Sequence, residues 1–209
     1  MTEADQPSPP RVRHMAATSM PGQESWQVER VTTGADLLRE LRAVPEGALP
    51  QTLRNRSSVS PPEVGRAALV ACLLTSSSPA DAPLVRELTR QEIAWVEAGD
   101  SGCGDVLLAC CWLLFMGGDL DDASLVWAAK NVNFDAYCYI DSSLLVPQGA
   151  AATALRARAR GLSDLADHVD GLAASELQRM ADVWRSGDYF SGAPSATAAV
   201  DELAAWVRQ

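Results

Sequence analysis

The sequence predicts an all-α protein, a set of helical hairpins packed as a compact bundle or a short α-solenoid. Three observations carry this. Apolar residues make up 47% of the 209 positions while aromatics reach only 6%, so aliphatic and small side chains dominate. Alternating runs rich in Val, Ile and Thr, the mark of half-buried strands, are nearly absent. Val106 to Met116 is apolar at every position, as in a helix that its neighbours cover on all sides. That run ends at Gly117-Gly118, well short of the roughly 20 apolar residues a membrane span requires, so it reads as a buried central helix.

Taken in order, residues 1–25 carry Pro7, Pro9, Pro10 and Pro21 among polar residues, too little apolar surface to offset the entropy of ordering them, and read as a disordered tail. Arg11, Arg13 and His14 are its basic element. Residues 26–209 read as one all-helical domain. Trp26 opens it, with WQVERVTT as a short strand or extended lead-in. A short helix starts at Gly34 or Asp36, turns Leu37, Leu38 and Leu41 inward and ends before Pro45. Glu46 to Ser60 reads as a connecting loop bearing Arg54 and Arg56. Ser60 and the Pro61-Pro62-Glu63 that follows start a helix that runs to about Thr75, with Ala67, Ala68, Ala71 and Cys72 on a face of small residues. After the break at Ser76–Pro79, Asp81 caps a longer helix reaching Ala98, with Leu84, Leu88, Ile93, Trp95 and Val96 apolar.

Gly117-Gly118 closes the central helix, Asp119 caps the next, and Asp121 and Asp122 suit its first turn, facing the positive dipole end. Leu120, Ala123, Trp127 and Asn131 share one side of that second helix and Leu125, Val126, Ala129 and Val132 fall on others, so it too should be largely enclosed, Trp127 included. Asn131 to Asp141 alternates polar and apolar residues as a strand does. The spacing of Phe134, Tyr137, Ile140, Asp141 and Leu144 favours a helix instead, with Asp135 as its N-cap and Pro147 as its stop. Gly149 to Arg160 is an Ala-rich helix whose Arg156, Arg158 and Arg160 suit the dipole at its C-terminal end. Ser163 caps a helix to Leu172. Ala173 to Ser186 buries Leu177, Met180, Ala181 and Trp184. After the loop Gly187 to Pro194, Ser195 caps a last helix with Ala199, Leu203, Trp206 and Val207 inward.

The formal net charge is −10, which argues against nucleic acid or an anionic membrane as partner and suits a basic protein partner. Five cysteines, odd in number and without CxxC spacing, read as buried free thiols in a reducing compartment, and Cys110-Cys111 as packing residues, not nucleophiles. With His14 and His168 the sole imidazoles, no zinc site is expected, and the sequence implies no cofactor. No signal segment or membrane run is recognised, so a cytoplasmic location is expected.

The one dense polar cluster is Lys130, Asn131, Asn133, Asp135, Tyr137, Tyr139 and Asp141. Lys beside Asp and Tyr suits general acid–base work if burial brings the ammonium pKa down. The structural alternative, which is favoured, has Asp135 capping a helix, the asparagines satisfying backbone groups at the turn and the tyrosine rings leaning on the core. Asp100, Asp105, Asp119, Asp121 and Asp122 lack the regular spacing of a calcium loop and read as helix starters. Asp164, Asp167 and Asp170 surround His168 in sequence and should raise its pKa on a solvated helix face.

Two segments resemble known patterns. Leu113 to Lys130, LLFMGGDLDDASLVWAAK, resembles the turn and second helix of a tetratricopeptide motif, with Ala123 and Trp127 in the places of the small and large packing residues. Trp127, Ala129, Lys130, Asn133, Phe134 and Asp135 match the W-x-A-K-x-x-N-F-D core of a segment found in uncharacterised helical proteins of actinobacteria. The first resemblance implies helical-hairpin geometry and the second implies no activity. The sequence therefore favours a non-enzymatic acidic protein that binds another protein, in the manner of an immunity protein or antitoxin. The competing reading is a small-molecule binder or enzyme around Lys130, Asp135, Tyr137 and Asp141.

Overall fold

The structure, a computed structural model, describes residues 34–56, 62–99 and 104–186. The expected tail with Arg11, Arg13 and His14, the segment at Trp26, the Ser60 cap, Asp100, Cys103, the loop after Ser186 and the helix at Ser195 lie outside them. Every described element is helical and no strand occurs among the described residues. The first helix, α1, spans 34–42. A 3-10 turn (Glu46–Ala48) leads into α2 (Leu49–Arg56), and α3 (Pro62–Ser76), a 3-10 turn (Pro79–Asp81) and α4 (Ala82–Glu97) follow. Next come α5 (Asp105–Gly117), a 3-10 turn (Leu120–Asp122), α6 (Ala123–Lys130) and α7 (Phe134–Tyr139). A 3-10 segment (Ser142–Leu145), α8 (Ala150–Ala159), α9 (Ser163–Asp170) and α10 (Ala174–Ser186) complete the chain.

Helix α5 is the axis of the fold. Val106 through Phe115 are all buried, and α3, α4, α6 and the Ser142–Leu145 segment pack on its different sides. From Val106 to Phe115 the run has no polar face because no side of it meets water, while Met116 at its end is exposed. Gly118 ends it with φ 75°, a conformation that glycine adopts without a Cβ clash, and Asp119 accepts from the Asp121 N–H to start the next turn. Trp112 Nε1 donates to the Trp184 carbonyl at 2.9 Å, so the indole fastens α10 to the axis while its ring fills the core. At the start of the fold α1 lies directly on α3. A Cβ at Gly34 would stand 2.9 Å from the Ala68 carbonyl oxygen, so a small residue is required there, and Leu38 and Leu41 of the same helix are buried.

Several elements differ from the sequence expectation. Glu46 to Ser60 is not simply a loop: α2 forms within it and buries Leu49 and Leu53, with Pro50 accommodated in the first turn, where its missing N–H is not needed. Asp81 does not cap α4 with its side chain. Its buried carboxylate turns back to the Ser78 N–H at 2.7 Å and takes both arms of Arg42 at 2.8 Å, which ties α1 to the α3–α4 turn. Ser163 is the first residue of α9 instead of its cap, and Leu162 precedes it. Arg156, Arg158 and Arg160 are engaged by carboxylates instead of the helix dipole alone, Arg158 by Asp170 and the other two by Asp121. Cys72, Cys110 and Cys111 are buried free thiols, whereas Cys138 is exposed on α7. Among the described residues no helix is long and apolar enough to cross a membrane.

Candidate functional site

The polar cluster maps to the corner where α6 hands over to α7. At the end of α6, Asn131 folds its amide back to the Trp127 carbonyl at 2.8 Å, adding a second donor to an oxygen that already accepts the Asn131 backbone N–H at 3.1 Å. Asn133 is extended, with φ −158°, and its side-chain oxygen accepts from the Ala136 N–H at 2.7 Å. Asn133 is therefore the N-cap of α7. The sequence expectation gave that role to Asp135, which instead sits exposed in the first turn, where its charge faces the dipole but its oxygens cap nothing. The cap, and with it the helix start, lies two residues earlier than expected, and the helix stops at Tyr139. Asp141 then begins the 3-10 segment by accepting from the Ser143 N–H at 2.8 Å and from its hydroxyl at 2.6 Å. The expected single helix to Leu144 is thus two short pieces, and both Ile140 and Leu144 still reach the core.

Lys130 runs under this corner. It is 4% exposed, and its ammonium donates to the Tyr137 carbonyl and to the Ile140 carbonyl, the latter at 2.6 Å. These are the free carbonyls at the negative end of α7, so the cation acts as the helix C-cap. The Tyr137 ring covers the ammonium at 4.5 Å. Burial pulls the Lys130 pKa down, opposed by the charge of Asp141. Tyr139 donates to the Asp105 carboxylate and anchors α7 to the start of α5. Of the seven residues in the sequence cluster, Lys130, Tyr137 and Asp141 come together. Asn131, Asn133 and Tyr139 serve backbone caps and an inter-helix bond, and Asp135 faces water.

The structure adds three neighbours that the cluster lacked. His168 comes from α9 and lies 4.7 Å from the Trp127 ring and 6.3 Å, edge on, from Tyr137, with Nε2 3.0 Å from the Ser142 hydroxyl. Its pKa is lowered, first by burial and then by the Lys130 charge, and not raised by Asp164, Asp167 and Asp170 as their sequence proximity suggested. Those carboxylates point to solvent, Asp170 onto Arg158. Ser142 beside an imidazole has the outline of a nucleophile–base pair, but among the described residues no carboxylate bonds the other ring nitrogen to orient it. Trp127 itself is only partly buried, against the expectation that its helix is enclosed, and packs on His168 of α9. No motif announces this meeting. A histidine one helical turn after Asp164 reads the same whether it is solvated or packed on an indole.

The depressed His168 pKa has a consequence for stability. The unfolded chain binds more protons than the folded one between the folded value and the ordinary 6.5, so stability rises with pH across that window and falls as pH drops through it. Urea melts at about pH 7 and about pH 5 should show this loss, and His168→Gln should flatten it. An unchanged pH slope in the variant would mean that other groups carry the acid sensitivity.

Outside the cap bonds, α7 offers water an apolar face. Phe134 is 78% exposed and Tyr137, one turn on, 42%, beside the half-buried Trp127 and His168. Asp135 and Asp164 are exposed on the same two helices. The fold and this corner define an acidic all-α protein of packed helices with exposed aromatic side chains on α7 and exposed carboxylates on α7 and α9. No protein-family model, curated protein or solved structure matches the chain.

Proposed function

We propose that the chain is a non-enzymatic helical protein that binds another protein through the α7 face, in the manner of an immunity protein or antitoxin that captures a basic partner. The observation that carries this is Phe134, a large apolar side chain 78% exposed at a position where the core has no use for it. A contact surface built of Phe134, Tyr137, Trp127 and His168 has the composition of interface hot spots, in which a few aromatic side chains dominate the binding energy. Asp135 at its edge and the chain's net charge of −10 favour a cationic partner and speed its capture. The segment that resembles helical actinobacterial proteins, Trp127 to Asp135, covers much of this surface.

The second reading, an enzyme or small-molecule binder at Lys130, Asp135, Tyr137 and Asp141, draws on the buried, pKa-lowered ammonium. Against it, that ammonium is committed to two helix-end carbonyls and Asp135 stands apart from it. Affinity capture from native lysate supplies the partner, and titration with the Phe134→Ala and Tyr137→Ala variants tests the surface. Each variant should weaken binding by about 30-fold or more, the scale of a hot-spot aromatic, and the melting temperature should be kept in Phe134→Ala, whose side chain the core does not use, while Tyr137→Ala also uncovers Lys130. Full binding by both variants would move the interface elsewhere.

A further inference from the structure

We infer that the cleft between the start of α6 and the α8–α9 hairpin is a binding site for a small organic carboxylate with an apolar tail. The cleft, about half open to solvent, holds about 330 Å³, the low end of the range of small-ligand pockets. One wall is apolar, made by Leu120, Leu162 and Leu165. The other is a pair of guanidiniums. Arg156 on α8 and Arg160, the C-cap of that helix, lie four residues apart, so they project from one face. Both grip Asp121, Arg156 through Nε and Nη2 at 2.6 Å each, and Arg160 through Nη2 at 2.6 Å and Nε at 3.2 Å.

The charge and donor count of this triad do not close. Two cations share one anion, leaving an excess of one positive charge at the cleft wall. That surplus is confined to the residues lining the cleft, since beyond them Arg86 takes both Asp119 and Asp122, an opposite surplus of one negative charge, and Asp119 is close enough to act on Arg156. The four lone-pair positions of the Asp121 carboxylate are all occupied, whereas each guanidinium still has donors outside these bonds, including both hydrogens of Nη1. A surface ion pair on this scale adds little to stability, so a second arginine on an already satisfied carboxylate is weakly explained by folding alone. The overall negative charge does not forbid an anion here, since exposed charges beyond about 8–10 Å are screened at physiological salt while a ligand in the cleft meets the guanidiniums directly. A carboxylate fits the planar donor forks, and a short apolar tail fits the leucine wall beside them. The site is separate from the α7 face and does not rest on the protein-binding reading.

Titration of isotope-labelled protein with hexanoate, followed by amide shifts, tests this. Saturable shifts confined to residues 120–124 and 153–165 are expected. Hexanol, which has the tail but no charge, and inorganic phosphate, which has charge but no tail, should each bind at least ~10-fold more weakly, since each forgoes one half of the site. Arg160→Gln, which leaves the Arg156–Asp121 pair intact, should weaken hexanoate by at least ~10-fold. Asp121→Asn, which removes the competing anion, should tighten it. A clamp with a purely structural role would not give opposite signs for these two variants. Shifts that fail to saturate, hexanol or phosphate binding as tightly as hexanoate, or equal affinity in Arg160→Gln would overturn the assignment.

Discussion

Trp112→Ala should lower the stability of the fold by about 3–5 kcal/mol, the cost of emptying a buried aromatic site. Trp112 is 8% exposed on the central helix, and its indole N–H donates to the Trp184 carbonyl, so the substitution opens a cavity beside α5 and also removes that bond to α10. The sequence singled out Trp127 for this role. Trp127→Ala should cost less, roughly 1–2 kcal/mol, because a ring that is already partly in water leaves no closed cavity behind. Denaturant melts of the two variants side by side give the order directly. If Trp127→Ala proved the more damaging, the core would have to be centred on α6 and not on α5.

That reversal shows which part of the fold the sequence can reveal. The all-apolar run from Val106 to Met116 has a single reading at its length, and the Gly-Gly stop and the apolar spacing of the flanking segments follow local rules, so α3, α4, α5 and α10 are legible. Trp127 sits in a helix with apolar residues all round, yet which side a neighbour leaves open depends on α9, whose His168 lies far along the chain. Asn133 and Asp135 are both good caps by residue type, and the choice between them was made by the tight turn after Lys130, where Asn133 is extended. α2 was hidden by its proline, which reads as a breaker unless the helix start is already known.

The site was partly legible for the same reasons. A dense polar cluster at 130–141 marked the corner, but the roles of its members are tertiary: Lys130 caps a helix it does not belong to, and Tyr139 answers to Asp105. The cleft at Arg156 and Arg160 did have a sequence signal. Their spacing of four places them on one face, while Arg158 points elsewhere, to Asp170, and that division separates a convergent pair from three residues near a helix end.

The buried ion pair between Arg66 of α3 and Glu92 of α4 carries the other large effect. The two side chains are 12% and 8% exposed, and the guanidinium also lies 5.0 Å from the centre of the Trp95 ring. Its Nη2 is buried without a hydrogen-bond partner, so the cation is held out of water with its donors only partly used. Glu92→Ala removes the counter-charge and leaves that cation in place, which should cost about 3–5 kcal/mol. The pair need not be a net source of stability, since two ions leave water to form it. Replacing both, Arg66→Met with Glu92→Leu, should recover most of the loss and bring the protein to within about 1 kcal/mol of the original, or above it. A double-mutant cycle in denaturant reads both numbers, and added salt should change them little because a buried pair is poorly screened. A Glu92→Ala protein less than about 1 kcal/mol weaker would mean that water reaches Arg66 and that α3 and α4 are joined by their apolar faces alone.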